Sequence, residues 1–120
     1  MRFLILIVGD TETHESRGHE AGAELFNAFK KWDADLKKSG VLLSGEALKP
    51  PSDGARVTVQ GGKRKVVDGP FSEAKEFVGG YVLIQVKSRE EALEWAARCP
   101  GAHLDGRNYV EVREVLDIPA

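Results

Sequence analysis

With one cysteine, one methionine and five prolines in 120 residues, the chain excludes several classes of protein at once. Cys99 has no second cysteine to pair with, so no intrachain disulfide forms and an oxidising compartment is not implied. Neither sign of charge dominates: 17 basic residues face 19 acidic ones, a net charge of −2. A general pull toward nucleic acid or anionic lipid is therefore missing. No apolar run is long enough for a signal-peptide core or a membrane span, since the first, Phe3–Val8, covers six residues. Repeats and low-complexity stretches are absent as well. Gly61-Gly62 and Gly79-Gly80 lack the flanking residues of a phosphate-cradling loop. Lys63-Arg64-Lys65, close to Asp68, is too small a basic patch, with too few aromatics, to bind nucleic acid directly. What remains is 42% apolar and 30% charged residues, the composition of one soluble domain over residues 1–120. Such a domain buries enough surface to need no staple. The expected location is the cytoplasm.

Apolar periodicity gives the element order. Phe3–Val8 is a continuous aliphatic run ending at Gly9-Asp10, as in a strand apolar on both faces. Asp10 to Glu20 is polar and reads as a loop. From Ala21 to Lys38, Leu25, Phe29, Trp32 and Leu36 form one helical stripe, and Gly40 supplies a left-handed stop behind Lys37 and Lys38. Val41-Leu42-Leu43 opens a second strand running toward Glu46 and Leu48. Gly61-Gly62 is a two-residue hairpin turn between Arg56–Gln60 and Lys63–Val67. A short helical segment is expected from Glu73 to about Val78, with Ser72 as its N-cap. Tyr81–Lys87 is the next strongly apolar strand. Ser88-Arg89-Glu90-Glu91 is a capping box, starting a helix that runs to Pro100-Gly101. In Tyr109–Val115, Val110 and Val112 point one way, and Tyr109, Glu111 and Arg113 the other.

Leaving the small hairpin aside, this is β-α-β-β-α-β. The expected fold is α+β: a ferredoxin-like antiparallel sheet with two helices on one face. In that topology Phe3–Val8 and Tyr81–Val86 are the central strands, and the more polar segments at 41–48 and 109–115 are the edges. Two helices cover only one face of the sheet. Either Phe3, Ile5 and Ile7 or Leu4, Leu6 and Val8 would then face water, at a cost of several kcal/mol at about 25 cal/mol per Å². A patch of that size marks an interface, so a homodimer with the two sheets face to face is expected.

Val67-Asp68-Gly69-Pro70-Phe71-Ser72-Glu73-Ala74-Lys75-Glu76, then Gly79-Gly80-Tyr81, then Ser88-Arg89-Glu90-Glu91-Ala92 carry a family signature. With the opening Phe3–Asp10 run, Gly40-Val41-Leu42 and Val110-Glu111-Val112-Arg113, the chain resembles the YCII-related domain family, in its DGPF branch, over nearly its whole length. The resemblance implies a bacterial protein whose ferredoxin-like protomers pair into a dimeric α+β barrel, in a family largely without assigned biochemistry. Another branch of the superfamily, which includes a dehydrochlorinase, is implied to use a histidine–aspartate pair with the histidine on the first helix. Counted back from Gly40, the matching position here is Phe29, so that pair is not carried over.

Each candidate residue has a structural reading beside a functional one. Asp68, Gly69, Pro70 and Phe71 make a turn in which Asp accepts backbone N–H bonds, Gly supplies positive φ, Pro presets φ and Phe anchors the core. Alternatively the turn lines a pocket, with Asp68 as a carboxylate that binds or deprotonates a ligand. Glu73, Lys75 and Glu76 are either a solvated surface turn or the next wall of that pocket. Tyr81 is either a core side chain with a satisfied hydroxyl or a donor at a cavity mouth. Glu111 and Arg113 are either an edge-strand surface pair or ligand contacts in a dimer cleft. His14 and His19, with Glu12 and Glu15, lack the spacing of a metal site, and His103 reads as a surface histidine. No metal or cofactor is expected. Cys99, with no histidine or basic cluster near it, reads as a buried inert thiol.

Two functions follow. The first is a small-molecule-binding protein or enzyme with a pocket between the sheet and helix layers at the dimer interface, lined by Asp68, Tyr81 and their neighbours. The second is a non-catalytic interaction module. The resemblance implies domains fused to, or encoded near, extracytoplasmic-function sigma factors, hence a sigma-factor association acting through protein contacts.

Overall fold

The computed structural model describes residues 1–71 and 73–119, and for Glu15 the backbone alone. Four strands, β1 (Arg2–Asp10), β2 (Leu42–Ala47), β5 (Glu76–Gln85) and β6 (Tyr109–Glu114), form an antiparallel sheet in the order β2-β5-β1-β6. The two most apolar strands are central and the more polar ones are edges, as expected of a ferredoxin-like sheet. β3 (Ala55–Gln60) and β4 (Lys63–Asp68) make a separate two-stranded hairpin. Its turn residues Gly61 and Gly62 have φ of +56° and +77°, the backbone a type I′ turn demands and glycine adopts without strain.

The helices are α1 (Thr11–Ser16), α2 (His19–Lys38) and α3 (Arg89–Ala97). Each of the two long ones ends or starts where its sequence dictates. Gly40, at φ +73°, stops α2. At the start of α3 the Glu91 amide donates to Ser88 Oγ (3.1 Å) and the Glu91 carboxylate accepts from the Lys87 amide (3.0 Å). The box thus closes one residue further back than its usual form.

The core lies between the sheet and the helices. Phe3, Ile5, Val82, Ile84 and Val86 meet Trp32 and Leu36 of α2 and Ala92, Trp95 and Ala96 of α3, with Cys99 wholly enclosed. The Trp32 indole N–H donates to the Trp95 carbonyl at 3.1 Å and ties the two helices together. Val110 and Val112 of β6 pack against this core, while Glu111 and Arg113 are exposed on the other side.

Three expectations are corrected. The polar stretch after Asp10 is not all loop: Thr11–Ser16 forms a helix, held because the Thr13 hydroxyl donates to the Asp10 carboxylate at 2.8 Å and the Thr11 amide to the Lys75 carbonyl at 3.0 Å. A third helix therefore joins the two expected. No helix runs from Glu73 to Val78, and Ser72, its expected cap, lies outside the described residues. β5 instead begins at Glu76, because Val78, Phe77 and Glu76 continue the ladder opposite Val8, Gly9 and Asp10. Gly79-Gly80 accordingly lies inside that strand, where the register with β1 slips between Ile7 and Val8 as at a β-bulge. Among the described residues no helix is long and apolar enough to cross a membrane.

Candidate functional site

Residues directly opposite in an antiparallel ladder share a face, and this rule locates a cavity. Phe3 pairs with Ile84 and Ile5 with Val82, which fills the space under the C-terminal half of α2. Further along the same face the pairs are Val82 with Gly45 and Gly80 with Ala47. Gly45, Ala47 and Gly80 put almost nothing between sheet and helix. Gly80 is also fixed as glycine, since a Cβ there would stand 2.8 Å from the Glu46 carbonyl oxygen.

The N-terminal half of α2 spans this floor. Leu25, Phe29, Trp32 and Leu36 share one stripe, yet only Trp32 and Leu36 are buried. Leu25 and Phe29 are half-buried and Phe26 is 65% exposed. The space between helix and sheet is a cavity of about 730 Å³, within the range of small-molecule sites. Its walls include Ile7, Leu25, Phe26, Phe29, Trp32 and Phe77. Phe29 meets Trp32 edge to face at 6.4 Å. Polar groups stand among these walls: His14 and Arg17 from the α1 end, Lys30 and Asp33 from α2, and Asn108 before β6. The Asp33 carboxylate is already engaged by Lys37 at 2.8 Å. His14 packs edge-on against Phe77, ring centroids 5.1 Å apart. Such a site can enclose an apolar ring and hydrogen-bond its substituents.

A second cavity, about 860 Å³ in volume, lies on the opposite face of the sheet. Leu6, Val8 and Val78 form its floor, Pro51, Arg56, Pro70 and Phe71 one wall, and Tyr109 and Glu111 another part of its lining. His14, Phe77, Val8 and Pro50 border both cavities. The Tyr109 hydroxyl donates to the Glu76 carboxylate at 2.9 Å. That bond, with burial and the charges of Glu76 and Glu111, raises the phenol above its ordinary range.

The residues singled out in the sequence fall mainly on this second side. Asp68 ends β4 opposite Ala55, exposed, and lines neither cavity. Gly69 does not take the positive φ expected of it; it donates its amide to the Gly54 carbonyl at 2.8 Å, and a Cβ there would collide with the Pro51 carbonyl oxygen. The Gly69–Pro70 peptide is cis. Pro70 and Phe71 form cavity wall, and the Arg56 guanidinium stacks on the Phe71 ring at 3.8 Å while pairing with Glu73 at 2.6 Å. Glu73 is held below the usual carboxylate range by its own backbone N–H and by Arg56. Lys75 has an exposed side chain and contributes its carbonyl to the start of α1. Tyr81 pairs with Leu6, Glu111 with Leu6 from the other side, and Arg113 with Leu4, so the side chains of all three lie on the face away from the helices, while Tyr81 also borders the interlayer cavity.

Sequence reasoning named Leu25, Phe29 and Trp32 as a helical stripe, and Phe29 as the position matching the other branch's histidine, but not as pocket lining. Phe26 and Asp33 carry no motif. The signal that could have found them is the run of Gly45, Ala47 and Gly80 at helix-facing positions. Among the described residues no three metal-ligating side chains converge. Cys99 is enclosed, and burial pushes its thiol up to about 11, which keeps it out of nucleophilic chemistry.

The fold recurs in a solved structure, the 5-chloro-2-hydroxyhydroquinone dehydrochlorinase TftG of Burkholderia phenoliruptrix AC1100 in complex with 2,5-dihydroxybenzoquinone. The two superpose with a TM-score of 0.54 at 15% identity, over 97% of this chain and 94% of that one. An uncharacterised protein of Rhizobium meliloti (strain 1021) is 27% identical over 113 residues, 94% of this chain and 90% of its own length. The YCII-related domain matches residues 1–119, and the chain belongs to that family.

Proposed function

We propose that the protein binds a compact, planar, largely apolar small molecule in the cavity between α2 and the sheet, and that it does so as a homodimer. The observation that carries this reading is the floor of Gly45, Ala47 and Gly80 beneath an aromatic wall of Phe26, Phe29 and Trp32. Ala47 forgoes packing that Leu or Val would supply, the carbonyls of Tyr81 and Glu46 keep Gly45 and Gly80 without side chains, and space of this shape suits a ring. His14, Arg17 and Asp33 give the ring's polar substituents hydrogen-bond partners. The quinone held by the distant dehydrochlorinase supplies a first probe of the right chemical class.

The dimer reading rests on the other face of the sheet. Leu4, Leu6, Val8, Val78, Tyr81 and Leu83 share it by register, and among the described residues no helix lies over their centre. In this reading Pro70, Phe71, Tyr81, Glu111 and Arg113 belong to the side turned toward the second copy, and Asp68 acts by closing the hairpin base.

Titration with 2,5-dihydroxybenzoquinone, followed by quenching of the emission of Trp32 and Trp95 with Trp95→Phe as the single-tryptophan reporter, tests the site. Saturable binding is expected, and Ala47→Phe, which fills the floor from an edge strand, should abolish it with little change in melting temperature. Absence of saturable binding, or binding indifferent to Ala47→Phe, overturns the reading. Specific capture of a sigma factor by a chain that binds no ring would favour the interaction-module function instead.

A further inference from the structure

Two strands joined by a tight turn do not make a stable unit in water. The β3–β4 hairpin nevertheless extends into solvent, with every one of its strand residues exposed. The molecule is correspondingly expanded. Its radius of gyration is 16.3 Å, against roughly 13.5 Å for a compact chain of this length.

The hairpin is also two-faced. Val57 pairs with Val66, and Val59 with Arg64, so three valines share one side, at 59%, 67% and 49% exposure for Val57, Val59 and Val66. The opposite side carries Arg56, Lys63, Lys65, Thr58 and Gln60, with Val67 among them. An exposed β-branched stripe on a strand pair is an uncovered interface and an aggregation hazard unless something seats on it.

Net charge favours a second copy as the occupant. The hairpin holds four basic residues, Arg64 beside Val59 on the valine side and Arg56, Lys63 and Lys65 on the other, and one acidic residue, Asp68, in a chain whose net charge is −2. The rest of the molecule is therefore distinctly acidic, and a second copy presents that acidic body to the hairpin of the first. Position agrees. The hairpin's base, at Arg56, Pro70 and Phe71, walls the cavity whose floor is Leu6, Val8 and Val78, so the hairpin rises beside the helix-free face of the sheet. Under two-fold symmetry each copy offers the same arm and the same receiving surface.

We propose that the β3–β4 hairpin is an arm that clasps a second copy of the chain, laying its Val57-Val59-Val66 side on the partner's body. The proposal rests on the homodimer reading and adds to it a reciprocal contact outside the sheet-to-sheet patch.

An environment-sensitive fluorophore placed on Val59→Cys tests it; enclosed Cys99, its thiol raised to about 11, leaves the new cysteine as the labelled one. The label should emit at shorter wavelength in the dimer than in a chain diluted to monomer, whereas a label on Thr58→Cys, on the opposite side of the same strand, should not shift. Independently, Val57→Lys should weaken dimerisation at least about tenfold while circular dichroism of the sheet is retained. A dimer in which the label at 59 stays solvated and Val57→Lys changes nothing overturns the arm and leaves the dimer standing. A chain monomeric at all concentrations overturns both.

Discussion

Asp10 has the strongest local argument of any single residue. It is buried at the end of β1, its carboxylate accepts the Thr13 hydroxyl at 2.8 Å and the Arg107 amide at 3.4 Å, and its own amide donates to the Asn108 side chain at 2.9 Å. One residue thus ties β1, α1 and the loop before β6 together. The approach is close enough to require Gly106, at φ +85°, where a Cβ would stand 2.7 Å from the carboxylate. The Thr13 hydroxyl, then the Arg107 and Glu12 amides and the Arg107 charge, hold the carboxyl below its usual range against the opposing effect of burial. A carboxyl depressed in the folded state stabilises above its unfolded value, about 3.9, and the contribution is lost as pH falls through the lower folded value. Asp10→Asn should therefore melt at a lower temperature at neutral pH and show a shallower loss of melting temperature on acidification below about pH 4. Thermal melts of both proteins across that window check it, and parallel curves would show that Asp10 carries no such linkage.

At the scale of elements, α2 is divided between two tasks. Its C-terminal half packs: Leu36 is fully buried and Trp32 nearly so. Its N-terminal half covers a cavity. Leu36→Ala should cost about 2–5 kcal/mol, the usual range for an aliphatic cavity in a core, and Leu25→Ala under about 1 kcal/mol, as for a partly exposed side chain. Ring binding should respond in the opposite order, weakened by Leu25→Ala and retained by Leu36→Ala wherever that variant is folded. Urea melts with parallel titrations decide the matter; equal stability costs would mean the helix is one packing unit throughout. This division also marks where the sequence stops being informative. Central strands, the α2 stripe, the Gly61-Gly62 turn and the Ser88 cap are local patterns, and the fold follows them. A helical period says that Leu25 and Leu36 share a side, but not that Leu36 is enclosed in the core with Ile84 and Leu25 borders a cavity lined by glycines. That depends on Gly45, Ala47 and Gly80 becoming neighbours through pairing between β2 and β5, which no one segment encodes. α1 escaped for a related reason, because six residues without an apolar period are held by Asp10 rather than by their own amphipathicity. The Asp-Gly-Pro-Phe run is conspicuous in the chain yet sits at the hairpin base, since Gly69 is demanded by the Pro51 carbonyl beside it.

For the whole molecule, the asymmetry between the two sides of the sheet is the governing fact. One side has α2 and α3 over it; the other has a central row of Leu4, Leu6, Tyr81 and Leu83, flanked by the charged edges Glu46, Glu111 and Arg113. Apolar centre and charged rim are the anatomy of an interface, and each large aliphatic side chain fully enclosed there contributes about 1.5–3 kcal/mol. Leu6 is the central test because its ladder neighbours are Tyr81 on one side and Glu111 on the other, so nothing on its own sheet encloses it further. Leu6→Lys leaves the helix-facing core untouched and places a charge where two copies would meet, a burial that costs several kcal/mol per unpaired ion. Sedimentation at micromolar concentration should give a dimer for the natural chain and a monomer for Leu6→Lys, with matching circular dichroism spectra. Lower thermal stability is expected of the variant, because a dimer is stabilised by its own association in proportion to concentration, and that concentration dependence of the melt should vanish with it. A natural chain whose melting temperature is unchanged over a hundredfold dilution would place the sheet's second side in water, and both the paired assembly and the clasping hairpin would fall together.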